Sequence, residues 1–160
     1  MFDIFGEFDT VAELNATAEG LKNEGDADSL RKLAKENGIE EAFADMYMQG
    51  VMPEFCDVAT AAIGKIIIEA QELKPVEIME DWTEYIKTSC FEDEELAAAV
   101  RRKGKTLKGC VAELLKWSFK NCYAVDKDIV KAAGVSANVK MGIPGMGRAK
   151  KLIRQYYLGK

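Results

Sequence analysis

The segment over residues 53–73 constrains the fold most, because it is apolar on nearly every side of a helix. Its longest apolar run, residues 58–68, is broken by Lys65. A helix that is apolar all round belongs in the centre of a fold. Gly64 costs about 1 kcal/mol of helix propensity, yet it would allow another helix to pack closely. An isoleucine triplet at 66–68 could also form a strand, but its alanine- and glutamate-rich context favours a central helix that begins at Pro53.

Capping residues and glycines divide the rest of the chain into further short helices. Thr10 and Glu13 have the spacing of a capping box, and glycines follow several apolar-periodic segments, as is typical of helix C-termini. The predicted helices cover about residues 11–24, 26–37, 40–49, 53–73, 76–90, 92–103, 106–121, 126–133 and 148–158, with a glycine-rich loop at 135–147. The sequence therefore predicts a compact all-α domain of about eight or nine short helices around a central apolar helix.

Several classes of protein are disfavoured by what the sequence lacks. No apolar run approaches the roughly 18 residues of a membrane span, and the acidic N-terminus has no basic region typical of a secretion signal. The chain contains no histidine, which removes the commonest general base and the commonest catalytic zinc ligand. We therefore expect a cytoplasmic protein that is not an enzyme, with no membrane partner, no metal site, no catalytic residues and no cofactor.

The four cysteines, Cys56, Cys90, Cys110 and Cys122, form no C-x-x-C pair. Each falls on or beside a predicted helix among apolar neighbours. Free cysteine packs as a small hydrophobic side chain, so we predict four buried free thiols.

The charges are divided unevenly along the chain. Residues 1–98 contain 24 acidic and 7 basic residues, a net charge of −17, whereas residues 99–160 contain 3 acidic and 15 basic residues, a net charge of +12. Such asymmetry suggests interaction with a polyelectrolyte or a charged partner. The alternative is that an acidic segment (1–98) and a basic segment (99–160) form one folded unit and largely neutralise each other.

The first candidate binding site is a group of five cations within eight residues, which we call the basic cluster. It consists of Arg101, Arg102, Lys103, Lys105 and Lys108. Cations this dense repel one another unless an anion is near. The anion could be a nucleic-acid backbone, an acidic partner surface or the acidic half of the same chain.

The second candidate is the turn GIPGMG at residues 142–147 with the basic helix that follows it. This turn resembles the helix-hairpin-helix element of DNA-binding proteins, although about ten residues separate it from the preceding predicted helix. Glycines let a backbone approach a phosphate, and a helix N-terminus attracts one. The candidate contacts are Gly145, Gly147, Arg148, Lys150, Lys151 and Arg154. The alternative is a structural turn beside a solvated basic face.

The third candidate is acidic. It consists of Glu77, Glu80, Asp81, Glu84, Glu92, Asp93, Glu94 and Glu95. Their spacing fits a solvated helix face, a site for Mg²⁺ or acid–base chemistry, or a surface that meets a basic groove by mimicking nucleic-acid charge. Aromatic residues at 117, 119 and 123 could stack on bases, but we expect them to pack internally.

Three short stretches resemble known proteins. They are FGEFD at residues 5–9, KTLKGC at 105–110 and IRQYYLG at 153–159. They look like small proteins carried by phages and conjugative elements of Firmicutes, and the Lys-x-Leu-x-x-Cys run followed by a Tyr-Tyr pair is similar to the PcfK-like family. Some proteins of that kind are anti-CRISPR inhibitors of the type II RNA-guided nuclease. The resemblance implies inhibition by binding, without a cofactor or a reaction.

The leading hypothesis is therefore a mobile-element protein that inhibits a type II CRISPR nuclease by binding the nuclease or its guide-RNA complex. Such nucleases have positively charged nucleic-acid channels, in which the acidic half could dock. The alternative hypothesis is a DNA- or RNA-binding module that uses the basic C-terminal segment.

Overall fold

The computed structural model describes residues 2–159, and the predicted all-α fold is confirmed. The helices are α1 (Val11–Glu24), α2 (Ala27–Glu36), α3 (Glu41–Met48), α4 (Val58–Leu73), α5 (Ile78–Glu92), α6 (Glu94–Arg101), α7 (Leu107–Lys120), α8 (Lys127–Ala132) and α9 (Met146–Leu158). Two short strands, β1 (Tyr123–Ala124) and β2 (Lys140–Met141), form an antiparallel ribbon that flanks α8. No helix among residues 2–159 has the length and hydropathy that crossing a bilayer requires.

Local capping explains most of the helix boundaries. The Thr10 hydroxyl accepts a hydrogen bond from the Glu13 backbone N–H at 3.2 Å, as the predicted capping box requires. Helix α1 then ends at Gly25, whose φ of 73° is the left-handed conformation that glycine adopts without strain. These features act over three or four residues, which is why the sequence alone locates them well.

The predicted start of the central helix at Pro53 is wrong. Helix α4 begins at Val58, because the Asp57 carboxylate accepts a hydrogen bond from the Thr60 N–H at 2.7 Å and so caps the helix there. The preceding residues form bends in which Phe55 is buried, with its ring edge-on to Tyr47 at a centroid distance of 5.9 Å. Burial of Phe55 against the N-terminal helices therefore replaces the first predicted turn.

The predicted loop before the last helix is also partly wrong. Strand β2 lies within it, with Tyr123 opposite Met141 and Ala124 opposite Lys140. Helix α9 begins at Met146 with Gly145 as its N-cap, two residues before the predicted start. Two-residue strands leave little periodic pattern, so the sequence gives no signal for this ribbon.

Helix α4 contributes to two hydrophobic clusters. Helices α1–α3 and Phe55 form one cluster with Ala61, while α5, α6, α7 and α9 form the other with Ala62 and Ile66. The boundary between the acidic and basic segments, at residues 98 and 99, lies inside the second cluster. The two charge segments therefore do not correspond to two separate cores.

Gly64 permits a close approach, but the segment that packs on it is the loop after α2 rather than the expected helix. A Cβ atom added to Gly64 would lie 2.1 Å from the Asn37 carbonyl oxygen. A Cβ atom added to Gly38 would lie 2.2 Å from the Gly64 carbonyl oxygen. Because backbone surrounds both positions, no side-chain rotation can make room for a methyl group.

We therefore expect Gly64→Ala to lower the free energy of unfolding by about 1–3 kcal/mol, the usual cost of overpacking. The matched control is Gly20→Ala, because Gly20 lies inside α1 with nothing within 4 Å of an added Cβ. That control should raise stability by about 0.5–1 kcal/mol through helix propensity. Urea unfolding followed by circular dichroism measures both, and equal stability of Gly64→Ala and the unchanged protein would contradict the packing described.

The prediction of four buried thiols holds for three cysteines and is wrong for Cys122. Cys56, Cys90 and Cys110 are buried, and burial raises the pKa of each thiol to about 12. Cys122 is exposed, because α7 ends at Lys120 and Cys122 lies in the turn that leads to β1.

A thiol reagent such as Ellman's reagent should therefore modify one cysteine rapidly in the native protein and the remaining three only after denaturation. Reactivity requires an accessible thiolate, which buried thiols do not supply. Cys122→Ser should abolish the rapid phase, whereas Cys110→Ser should leave it intact. A rapid phase that persists in Cys122→Ser would show that a buried thiol becomes accessible.

Candidate functional site

Arg101 of the basic cluster is completely buried, so the prediction that it contacts a partner is inconsistent with the structure. Its Nη2 group donates a hydrogen bond to Asn37 Oδ1 at 3.0 Å. The rings of Phe2 and Phe8 lie about 6 Å from its guanidinium carbon, at 6.0 and 5.9 Å. Burial lowers the pKa of Arg101, and the nearby Glu7 and Glu69 partly oppose this shift.

Arg101 belongs to a group of internal charges that sequence reasoning missed. The Lys65 ammonium is also fully buried, lies 2.7 Å from Glu7 Oε1, and donates a hydrogen bond to the Arg102 carbonyl oxygen at 2.6 Å. Glu69, one helical turn from Lys65, accepts a hydrogen bond from the Leu107 N–H at 2.5 Å. The Lys65–Glu69 spacing on an otherwise apolar helix was the available signal, since buried charges require partners.

This internal group is structural in character. It contains two cations and two anions, and it joins the N-terminal segment, α4 and the α6–α7 connection. Burial raises the pKa of Glu69, while the Leu107 N–H and Lys65 oppose that shift. Lys65 is paired with both carboxylates, whereas Arg101 keeps one hydrogen bond to Asn37 and has two buried guanidinium nitrogens without a hydrogen-bond partner in the described part of the chain. The group is enclosed in the protein and is not accessible to a ligand.

Lys65→Met should lower the free energy of unfolding by about 3–5 kcal/mol, because it leaves buried carboxylates without their cation. The control is Lys87→Met, since Lys87 forms a surface ion pair with Glu84 at 2.5 Å. Loss of that pair should cost less than about 1 kcal/mol. Chemical denaturation measures the free energy of unfolding of both variants. Similar losses in the two would show that the Lys65 ammonium is not desolvated.

The rest of the basic cluster is divided between solvent and internal contacts. Arg102, Lys103 and Lys108 are exposed. Lys105 is half-buried, donates a hydrogen bond to the Tyr156 carbonyl oxygen at 2.6 Å, and lies 4.9 Å from the centre of the Tyr156 ring. Three of the five predicted cations are therefore available to a partner.

The GIPGMG turn is not placed as in a helix-hairpin-helix. Strand β2, rather than a helix, precedes it, and α8 ends at Ala132. Pro144 is buried, whereas Gly145 and Gly147 are exposed at the N-terminus of α9. The turn therefore anchors α9. Its first residue, Gly142, packs against the C-terminal end of α7 near Ser118, but no helix leads into the turn as a helix-hairpin-helix requires.

Helix α9 packs between α5 and α7, and its cations divide between the two sides. On the α5 side, Lys150 lies over the Tyr85 ring at 5.0 Å, and Arg154 forms an ion pair with Asp93 at 2.8 Å. On the α7 side, Arg148 lies over the Trp117 ring at 5.8 Å. Lys151 is exposed between these two sides.

The predicted acidic residues form an exposed row along α5 and the start of α6. Helical spacing places Glu80, Asp81 and Glu84 on one face of α5, and the exposed Glu77 precedes them as the N-cap residue. We call these four residues the acidic stripe. Phe91, which is 74% exposed, lies two helical turns beyond Glu84 on the same face of α5. Glu92, Glu94 and Glu95 are also exposed.

Asp93 differs from its acidic neighbours because it has a structural role. Its carboxylate accepts a hydrogen bond from the Leu96 N–H at 3.0 Å and thereby caps α6. This hydrogen bond, followed by the contact with Arg154, lowers the pKa of Asp93. Asp93 therefore joins the acidic and basic halves instead of facing a partner.

A groove between α7 and α9 is a second feature that sequence reasoning missed. We call it the α7–α9 groove; it has a volume of about 690 Å³ and includes Trp117, Leu152 and Tyr156. Phe119, predicted to pack internally, is 74% exposed on the same groove, and Tyr123 beyond it is 62% exposed. These exposed aromatic rings on the cationic half of the chain make the α7–α9 groove a candidate site.

Comparisons with known proteins leave the family open. No family model matches the chain, and no curated protein or solved structure shows significant similarity to it. Across residues 2–159, no three histidine, cysteine or acidic side chains are grouped closely enough to hold a metal ion. The resemblance to PcfK-like and anti-CRISPR proteins therefore stays a prediction.

Proposed function

We propose that this protein works by binding a macromolecule, and that it inhibits a type II CRISPR nuclease by binding the nuclease or its guide-RNA complex. The acidic stripe of α5 is the surface that would engage the nuclease. No chemical step is part of this proposal, and it requires no cofactor.

The single observation that carries the proposal is the exposure of the acidic stripe in a protein that also has a basic half. Glu77, Glu80 and Asp81 remain exposed although α9, which contains no acidic residue, packs against the same helix. Lys150 and Arg154 of α9 meet Tyr85 and Asp93 instead of the stripe. The negative charge is therefore presented outward.

A row of carboxylates on a rigid helix is suited to a positively charged channel. Type II nucleases hold the guide–target duplex in such a channel and contact mainly its backbone. A protein surface that reproduces backbone charge competes for the same cations, and electrostatic complementarity accelerates its association. Phe91 at the end of the row adds an exposed aromatic group that could bury against the partner.

A target-cleavage assay with purified type II nucleases tests this proposal. We expect the unchanged protein to block cleavage, and a variant carrying Glu77→Gln, Glu80→Gln, Asp81→Asn and Glu84→Gln to require about tenfold more protein for the same inhibition. The matched control neutralises four exposed carboxylates elsewhere, Glu19, Glu24, Glu40 and Glu54. It should inhibit like the unchanged protein, and circular dichroism checks that all variants fold.

Complete cleavage at a large molar excess of the unchanged protein, across several type II nucleases, would refute the proposed function. Equal loss of inhibition in both four-residue variants would refute the role of the acidic stripe, because net charge alone would then explain the effect.

A further inference from the structure

We propose that the α7–α9 groove binds single-stranded nucleic acid, by stacking bases on its aromatic side chains and pairing its lysines with phosphates. This inference goes beyond the proposed function and does not depend on it, because the groove and the acidic stripe share no residue. The stripe lies on α5, and the groove lies on the opposite side of α9.

The aromatic content of the groove is the first observation. Trp117 and Tyr156 line it, and Phe119 stands beside them with three quarters of its surface in solvent. Burying a phenylalanine side chain normally contributes about 1.5–3 kcal/mol to stability. Phe119 does not gain this stabilisation, because it is exposed. Base stacking on aromatic side chains tolerates any sequence, because every base has a flat face.

The charge around the groove is the second observation. Lys116 and Lys120 lie one turn apart on α7, about 6 Å along the helix axis. Arg148 adds a cation from α9, beside the Trp117 ring. The acidic residue that lines the groove, Glu113, is paired with Lys116 at 2.6 Å. With two lysines and one carboxylate in its lining and Arg148 beside Trp117, the groove has a net positive charge, as binding to a phosphate backbone requires.

The position of Arg148 is the third observation. Its guanidinium carbon lies 5.8 Å from the centre of the Trp117 ring, which places a permanent positive charge beside the ring. Lys105 lies over the Tyr156 ring at 4.9 Å in the same manner. A cation thus lies over the Trp117 ring and another over the Tyr156 ring, where it can pair with the phosphate of a base that stacks on the exposed Phe119 ring.

A duplex fits these observations less well than a single strand. Bases inside a duplex are already stacked and cannot lie on Trp117 or Phe119. The two-helix clamp that would hold duplex backbone is absent around the GIPGMG turn, where β2 precedes α9. An acidic segment of a partner protein is the competing occupant, and it would not produce binding to an isolated oligonucleotide.

Fluorescence anisotropy tests this inference with the full chain and fluorescein-labelled oligouridine or oligothymidine of about 12 nucleotides, a length within the range of known single-strand sites. Both should bind, and the equivalent duplex should bind more weakly. Phe119→Ala should weaken binding about tenfold through loss of stacking. The matched control is Phe91→Ala, since Phe91 has the same 74% exposure on the acidic side of the molecule, and this variant should leave oligonucleotide binding unchanged.

The salt dependence tests the lysines separately. Lys116→Gln with Lys120→Gln should reduce the slope of log K against log salt by about 1.4, because each phosphate contact to a single strand contributes about 0.7. The control pair, Lys32→Gln with Lys35→Gln, removes the same charge from α2 and should leave the slope unchanged.

Three results would overturn the inference. They are the absence of oligonucleotide binding at low salt, tighter binding to the duplex than to the single strand, and equal losses in the groove variants and their controls. The nuclease assay with the acidic-stripe variant depends on none of these results. The proposed function and the proposed oligonucleotide site can therefore fail independently of each other.

Discussion

The buried Lys65 ammonium is the interaction on which the rest of this structure depends. A charge buried in a helix that contributes to both hydrophobic clusters must find opposite charge and hydrogen-bond acceptors within the protein. Lys65 finds them in Glu7, in Glu69 and in the Arg102 carbonyl oxygen. These contacts bring the N-terminal segment and the α6–α7 connection onto α4, which is why the two hydrophobic clusters meet along one helix.

That arrangement also decides which charges remain for other molecules. Arg101 is buried within the internal group of charges. Arg154 of α9 forms an ion pair with Asp93 at the end of α5. The remaining charges separate into two faces because α9 stands between α5 and α7. The acidic stripe lies on one flank of α9 and the α7–α9 groove on the other, so one small domain presents two surfaces of opposite sign. Each surface also carries an exposed phenylalanine, Phe91 or Phe119.

The sequence-based predictions were correct where the interactions are local in the chain and wrong where they join distant residues. The Thr10 cap and the Gly25 terminus involve neighbours in the chain, and both were predicted correctly. The predicted start of α4 at Pro53 was wrong, because the burial of Phe55 against Tyr47 leaves no pattern in the neighbouring sequence. Exposure of Cys122 and Phe119 was likewise missed, since helical periodicity gives a face but does not reveal whether another element covers it.

By itself, the sequence determined the helical class, the central position of α4, the close approach at Gly64 and the separation of charge along the chain. These features depend on residue type and short spacings. Tertiary structure alone decided that Arg101 is internal while Arg102, the next residue, is exposed. The partner of Arg101, Asn37, lies 64 positions away in the chain. Desolvation depends on every atom that surrounds a charge, and those atoms come together only when distant segments pack.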